Sequence, residues 1–439
     1  MSGGDRIRIV SALFAGLVAL AAVQAVAPAD AATYRENVLW SFGSGADGRT
    51  PAADLTLVKG ILYGTTLGGG WAAGCFYSGC GTVFSLDPKT GAERVLYRFC
   101  SQPNCADGAD PGGNVIHADG ITAGGTLYGT AAGGGTGAGG LGGGTLFALD
   151  PTTGKEKVLY TFCSLTDCAD GDDPWSGVID VRGLLYGVAG GGGVGEGGGT
   201  VFAWDPDTGA ETLLYSFCSQ ENCTDGAGPT ALIDTNGTLY GATIAGGSFD
   251  CQDSGQGCGT VFSLDPNTGM ETVLHSFGNG ADGANPFAGV IDVNNSIYGT
   301  THAGGIVGCY AKLGCGTVFS LDLSTDTETV LYSFCSQENC TDGANPYSGL
   351  IDVDGVLYGT TGTGGVAGCG GYGSCGTVFS LDPSTGTETV LYAFCSRTNC
   401  TDGAEPLAGL IAINGKLYGT TARGGTYGYG TVFVLKQKS

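Results

Sequence analysis

Charge is scarce in this chain. Only 13% of its 439 residues are Asp, Glu, Lys or Arg, and basic residues number 17 against 41 acidic ones. A surface that tracks a phosphate backbone needs clustered Lys and Arg, so nucleic-acid binding is excluded. The net charge of -24 sets the chain equally against anionic lipid heads. Histidine is rarer still, at three residues, and no paired-His metal motif, nucleophile elbow or Walker loop occurs. After residue 31 no long apolar run appears, and no stretch carries a helical apolar period. A helical fold is thereby excluded, and stable membrane insertion of the mature chain is not expected. Disorder is excluded too, because 42% of the residues are hydrophobic and 9% aromatic.

What the chain has in plenty is glycine, 86 residues, and cysteine, 18. Collagen would need glycine in strict triplets, which are absent. The first 31 residues read as an export signal: Arg6 and Arg8, an apolar run from Ile9 to Val26, then Ala29-Asp30-Ala31 as a cleavage pattern. The mature protein is expected at residues 32–439, secreted or periplasmic, with the cell surface as a further address.

Three strings recur seven times each, in fixed order. Leu-Tyr-Gly-Thr-Thr and its variants place a tyrosine at 63, 128, 186, 240, 298, 358 and 418. Gly-Thr-Val-Phe places a phenylalanine at 84, 147, 202, 262, 319, 379 and 433. Val-Leu-Tyr-Ser-Phe ends at Phe42, Phe99, Phe162, Phe217, Phe277, Phe334 and Phe394. Each unit contains four short runs rich in Val, Leu, Tyr, Phe and Thr, bounded by Gly, Pro or Asp. In the sixth unit these are residues 349–353, 356–361, 376–382 and 388–394, called a to d. Asp382-Pro383-Ser384-Thr385-Gly386 is a turn that joins c to d as a hairpin. Four-stranded antiparallel units in radial repetition predict an all-β, seven-bladed propeller in a single domain. The chain opens on a d-type run and stops after a c-type run, so the N-terminal strand is expected to complete the last blade and close the ring.

The recurrence of Asp-Gly-Ala-x-Pro, Leu-Tyr-Gly-Thr-Thr and Gly-Thr-Val-Phe resembles the GloVer tandem repeat of exported bacterial surface proteins, the choice-of-anchor proteins, over essentially the whole mature chain. That resemblance implies an exported, propeller-like protein of undefined activity. The chain departs from the pattern in its many cysteines. The c–d hairpin is also similar to pyrroloquinoline-quinone-type propeller repeats, which reads as shared turn mechanics.

The cysteines fall into nine close pairs. Five follow the d run: Cys100/Cys105, Cys163/Cys168, Cys218/Cys223, Cys335/Cys340 and Cys395/Cys400. Four lie between b and c: Cys75/Cys80, Cys251/Cys258, Cys309/Cys315 and Cys369/Cys375. Repeats that lack one member lack both, as local disulfides require; zinc knuckles want closer spacing and four converging ligands. In a four-stranded blade the d–a and b–c connections share one face. All nine pairs are therefore expected to decorate one loop face and stiffen its loops, and function is expected there too.

Two residue sets are candidates on that face. Asp47, Asp107, Asp170, Asp225, Asp282, Asp342 and Asp402 occupy one repeat position. They are either a cation site, with Ca²⁺ the natural oxygen-seeking ion, or local turns that satisfy backbone N–H groups. Trp71, Tyr77, Trp175, Phe249, Phe287, Tyr310, Tyr347, Tyr372 and Tyr427 vary between units, as contact residues do, with His302 beside them. Their flat faces suit a sugar ring or a peptide; packing beneath long loops is the alternative. Near-uniform repetition favours a monomeric, non-catalytic binding protein with a glycan, protein or metal-cation ligand. The alternative is a carbohydrate hydrolase or lyase, for which Glu196, Asp250, Asp253 and His302 are the unmatched polar residues.

Overall fold

Each motif makes one contact with its own blade and another with its neighbour. The computed structural model describes residues 34–438, apart from 44, 71–74, 76–78, 119–124, 138–141, 196, 250, 252–256, 279–280, 306–313 and 367–374. The expected signal peptide therefore lies outside the described residues. Among the described residues twenty-eight strands, numbered in chain order, form seven four-stranded antiparallel sheets. In the first complete blade β2 (Thr56–Val58), β3 (Ile61–Thr66), β4 (Thr82–Leu86) and β5 (Glu93–Arg98) lie side by side in that order. The seventh sheet is composite. Its order is β1 (Tyr34–Ser41), β28 (Thr431–Gln437), β27 (Lys416–Thr421), β26 (Ile411–Ile413), so the N-terminal strand closes the ring.

The seam copies every other c–d pair. Val83 faces Tyr97 and Phe84 faces Val95, with Leu96 bulged out between them. At the seam Val432 faces Trp40 and Phe433 faces Val38, with Leu39 bulged. A bulge adds local twist, and here one sits in the outermost strand of all seven blades.

The glycine of Leu-Tyr-Gly-Thr is a steric requirement. A Cβ on Gly64 would lie 2.6 Å from the ring of Phe84, and the other six copies meet their own strand-c phenylalanine in the same way. That ring in turn packs against the phenylalanine ending the previous blade's d run, edge-on in six blades and tilted at Phe162–Phe202. The seven pairs run from Phe42–Phe84 at 5.2 Å to Phe394–Phe433 at 5.0 Å. All fourteen rings are fully buried. Each contributes on the order of 1.5–3 kcal/mol of apolar burial, so the core is seven blade junctions rather than one centre.

The two threonines divide the same labour. The first donates to the next blade's backbone, as in Thr65 Oγ1 to the Gly113 carbonyl at 3.0 Å and Thr300 Oγ1 to the Ser348 carbonyl at 2.8 Å. The second pairs with the threonine opening strand c, as in Thr66–Thr82 and Thr361–Thr377, both 2.9 Å. Asp-Pro-x-Thr-Gly turns close the c–d hairpins: Asp87 accepts the Lys89 N–H and the Thr90 hydroxyl, and Gly91 takes a left-handed φ of 71°.

Candidate functional site

The d–a and b–c loops meet each other, which places them on one face. Gly135 N donates to the Cys105 carbonyl at 2.8 Å, and Gly193, Gly247, Gly365 and Gly425 repeat that bond to Cys168, Cys223, Cys340 and Cys400. Seven disulfides are present among the described residues. In the d–a loops they are Cys100–Cys105, Cys163–Cys168, Cys218–Cys223, Cys335–Cys340 and Cys395–Cys400. In the b–c loops they are Cys75–Cys80 and Cys251–Cys258. Cys315 and Cys375 are disulfide-bonded as well, and their expected partners Cys309 and Cys369 lie outside the described residues. The sulfurs of Cys75, Cys80 and Cys100 fall within 4.8 Å of one another, so the two kinds of bridge sit side by side.

These bridges also reach from the loop face into the core, which spacing alone did not indicate. Cys258 is bonded to Cys251 as expected, but it is only 2% exposed and belongs to the hydrophobic core with Val261 and Phe277. Its carbonyl accepts from Asn285 N of the next blade at 2.7 Å. Cys80, Cys315 and Cys375 are buried in the same way, and so are Cys100, Cys163, Cys218 and Cys400 of the d–a loops. The reason is positional. In the b–c loops the second cysteine stands just before the Gly-Thr that opens strand c, so its sulfur enters the blade junction. Each such bridge joins a surface loop to the core, and Cys258 packs there as well as bonding Cys251.

The aspartate series closes the d–a loops. Asp107 is fully buried, and its Oδ2 accepts from Tyr97 Oη at 2.7 Å, Ser101 N at 2.8 Å and Ser101 Oγ at 2.8 Å. Its Oδ1 accepts from Gln102 N at 3.2 Å. Asp170, Asp225, Asp342 and Asp402 receive the same set of donors. In the two loops without cysteines, Asp47 accepts from Gly43 N and Asp282 from Gly278 N and His275. Protein donors thus engage the oxygens that a cation would need, and the local turn accounts for the geometry.

The residue before the proline of Asp-Gly-Ala-x-Pro has a more unusual place. Thr50, Asp110, Asp173, Asn285, Asn345 and Glu405 all adopt left-handed φ values between 52° and 59°, and the fourth blade puts Gly228 there. Left-handed backbone is costly for residues with a Cβ, above all for β-branched Thr50, and such strain clusters at functional sites. The inter-blade fit imposes it. Asp110 N donates across the junction to the Cys80 carbonyl at 2.8 Å, its carbonyl accepts from Ala132 N at 3.1 Å, and Pro111 seats on Gly81 of the previous blade.

Around this ring the scaffold is uniform and the side chains are not. A cleft of about 450 Å³ is lined by Arg49, Thr50, Asp110, Trp175, Arg423 and Tyr429, with small residues between them. These come from blades seven, one, two and three, and non-adjacent blades can share a cleft only where the ring converges on its axis. Trp175 is 49% exposed and Tyr429 40% exposed. The Arg49 guanidinium lies 5.7 Å over the Tyr429 ring, and Arg423 pairs with Glu405 at 3.0 Å. Burial, and then the neighbouring Asp173, push the Asp110 carboxyl above its ordinary range.

Of the aromatic residues expected from the sequence, Trp175 lines this mouth. Phe287, Tyr347 and His302 form a cluster at the matching positions of blades five and six, with His302 4.3 Å from Tyr347 and 5.1 Å from Phe287. Burial lowers the His302 pKa to about 4, so it is a neutral packing group at physiological pH. Tyr427 stands elsewhere, over Gly43 in a cleft of about 830 Å³ at the seam, beside Trp40 and Arg397. Phe249 is exposed near Gly278 and joins neither group. Trp71, Tyr77, Tyr310, Tyr372, Glu196, Asp250 and Asp253 lie outside the described residues. Sequence reasoning missed Arg49, Asp110 and Arg423 as site residues. The signal for Asp110 was available: it stands at the most variable position of Asp-Gly-Ala-x-Pro, whose third residue also departs from Ala at Arg49 and Asp172.

The Gloeobacter/Verrucomicrobia repeat family matches residues 25–254, 78–311 and 250–439, and the chain belongs to it. No curated protein matches the sequence. Among solved structures it is similar to the extracellular domain of a putative one-component system from B. thetaiotaomicron, at 9% identity and TM-score 0.54, over 92% of this chain and 40% of that one. It is also similar to an oligogalacturonate lyase from Vibrio parahaemolyticus, at 10% identity and TM-score 0.51, over 92% of this chain and 97% of that one. At such identities the likeness is one of fold alone.

Proposed function

We propose that this member of the Gloeobacter/Verrucomicrobia repeat family is an exported, non-catalytic binding protein that takes a glycan at the axial mouth of its loop face. The observation that carries this reading is the convergence of four blades on one cleft that offers two exposed aromatic faces among polar groups of both signs. Aromatic faces stack on the C–H faces of sugar rings, while carboxylates and guanidinium groups bind their hydroxyls. Asp110, Thr50, Arg49 and Arg423 are the hydroxyl partners in this reading, and Trp175 is the platform. The disulfides favour an oxidising compartment. Among the described residues no helix is long and apolar enough to cross a membrane.

The test is a glycan screen on the purified chain, followed by calorimetry of wild type and Trp175→Ala. Loss of a stacking platform is expected to weaken binding by roughly tenfold or more with the fold unchanged. Unaltered affinity in the variant, or no binding across neutral and acidic polysaccharides, sinks the proposal. Release of new sugar ends during the same incubation identifies an enzyme instead.

A further inference from the structure

The structure contains a second sevenfold carboxylate series. Glu36, Glu93, Glu156, Glu211, Glu271, Glu328 and Glu388 each stand six residues before the phenylalanine that ends a d run. Each lies beside the loop aspartate of the preceding blade, from Asp402 for Glu36 to Asp342 for Glu388. Every one has at least one carboxylate oxygen buried without a hydrogen-bond partner. Two carboxylates held together in a half-buried junction are costly to ionise at once without something positive between them.

At two junctions that positive group is an arginine, and at a third a histidine stands in its place. Arg397 bonds Glu36 at 2.6 Å. Arg98 faces Glu93, and His275 faces Glu328 while also pairing with Asp282 at 3.3 Å. Two of these junctions have lost the usual tyrosine of the d run, to Trp40 and His275.

At the other four junctions no cation among the described residues faces the pair. The groups turned toward Glu156, Glu211, Glu271 and Glu388 are a tyrosine hydroxyl (Tyr97, Tyr160, Tyr215, Tyr332) and an aspartate (Asp107, Asp170, Asp225, Asp342). Each of those tyrosines already directs its proton to the aspartate Oδ2, at 2.7 to 3.0 Å, and the loop serine does likewise, at 2.8 to 2.9 Å. As a carboxylic acid the glutamate adds a further donor to this network, directed at the tyrosine oxygen.

We propose that four blade junctions are each closed by a proton on Glu156, Glu211, Glu271 and Glu388, and that the ring loosens as those protons leave. Burial first, and the adjacent aspartate second, raise these carboxyls from 4.5 to about 7, and to about 8 in Glu388. A folded state that binds a proton more tightly than the unfolded chain is favoured while the proton is on. This stabilisation is full below the unfolded pKa of 4.5 and is lost as pH rises through about 7 to 8.

The experiment is thermal melting of the full mature chain, disulfides intact, from about pH 5.5 to about pH 9, with the Glu156→Gln/Glu211→Gln/Glu271→Gln/Glu388→Gln variant alongside. Glutamine keeps a donor at every pH. The wild type is expected to lose roughly 5 °C or more across the range, while the variant, which keeps the raised carboxyls of Glu36, Glu93 and Glu328, loses clearly less. A level wild-type profile, or parallel decline in both proteins, overturns the proposal. Should the variant fail to fold, infrared spectra of glutamate-labelled wild type decide. A protonated-carboxyl band near neutral pH that fades on alkalinisation supports the proposal, and its absence overturns it.

Discussion

Two threonines without partners show how closely the repeat is tuned. In five blades the second threonine of Leu-Tyr-Gly-Thr-Thr shares a hydrogen bond with the threonine opening strand c. In the second and third blades the former is Ala131 or Ala189, and the hydroxyls of Thr145 and Thr200 are buried with no partner. Restoring the pair by Ala131→Thr and Ala189→Thr should raise stability by roughly 0.5–1.5 kcal/mol per site, read as a shift in the urea midpoint at unchanged slope. Such details were half legible. The motif itself was plain in the sequence, but the reason for its glycine was not, because the ring against Gly64 belongs to the adjacent strand. The glutamate series was missed for a related reason. A lone Glu at the start of an outer strand reads as solvated, and its burial comes from the neighbouring blade. The burial of Cys258 was hidden in the same way, since spacing reveals a bonding partner and not the packing around it.

Among the elements, the d–a loop is the most fully specified. A 3₁₀ turn ends at the second cysteine of each five-residue bridge, as in Pro103–Cys105, and the buried aspartate ties the same loop from inside. Two of the seven loops do without cysteines and still present their aspartate to the backbone. The Cys100→Ser/Cys105→Ser variant should therefore fold, with a loss of about 2 kcal/mol or less. Its mark should be local: faster amide exchange over residues 101–108 and earlier protease nicking there, with the strands unchanged. Strand order and hairpin turns were readable from apolar runs and turn residues. The bulge at Leu96 and its six equivalents was not, since nothing in Val-Leu-Tyr distinguishes a bulged residue from a paired one.

For the whole molecule, closure is the decisive feature. β1 covers β28, the strand that would otherwise present an open sheet edge. Deleting residues 34–41 should expose that edge. The expected result is a lower melting temperature and concentration-dependent self-association by light scattering, while a monodisperse monomer of unchanged stability would show that the seam is dispensable. Ring and seam were legible because the first and last runs are of complementary type. The axial mouth was not, because which loops share a cleft follows from the curvature of the ring and not from any local pattern. Trp175 was a candidate contact residue, yet its grouping with Arg49 and Tyr429 required the blades to be set in place.

The seam has an evolutionary corollary. Because β28 receives β1 in the same register, bulge included, that β4 uses for β5, the closing strand carries no information about how many copies lie between. A duplication or loss of one whole unit would leave both ends complementary. Blade number in such a lineage is then free to drift by unequal exchange, limited only by the angle at which consecutive phenylalanine pairs set one sheet against the next.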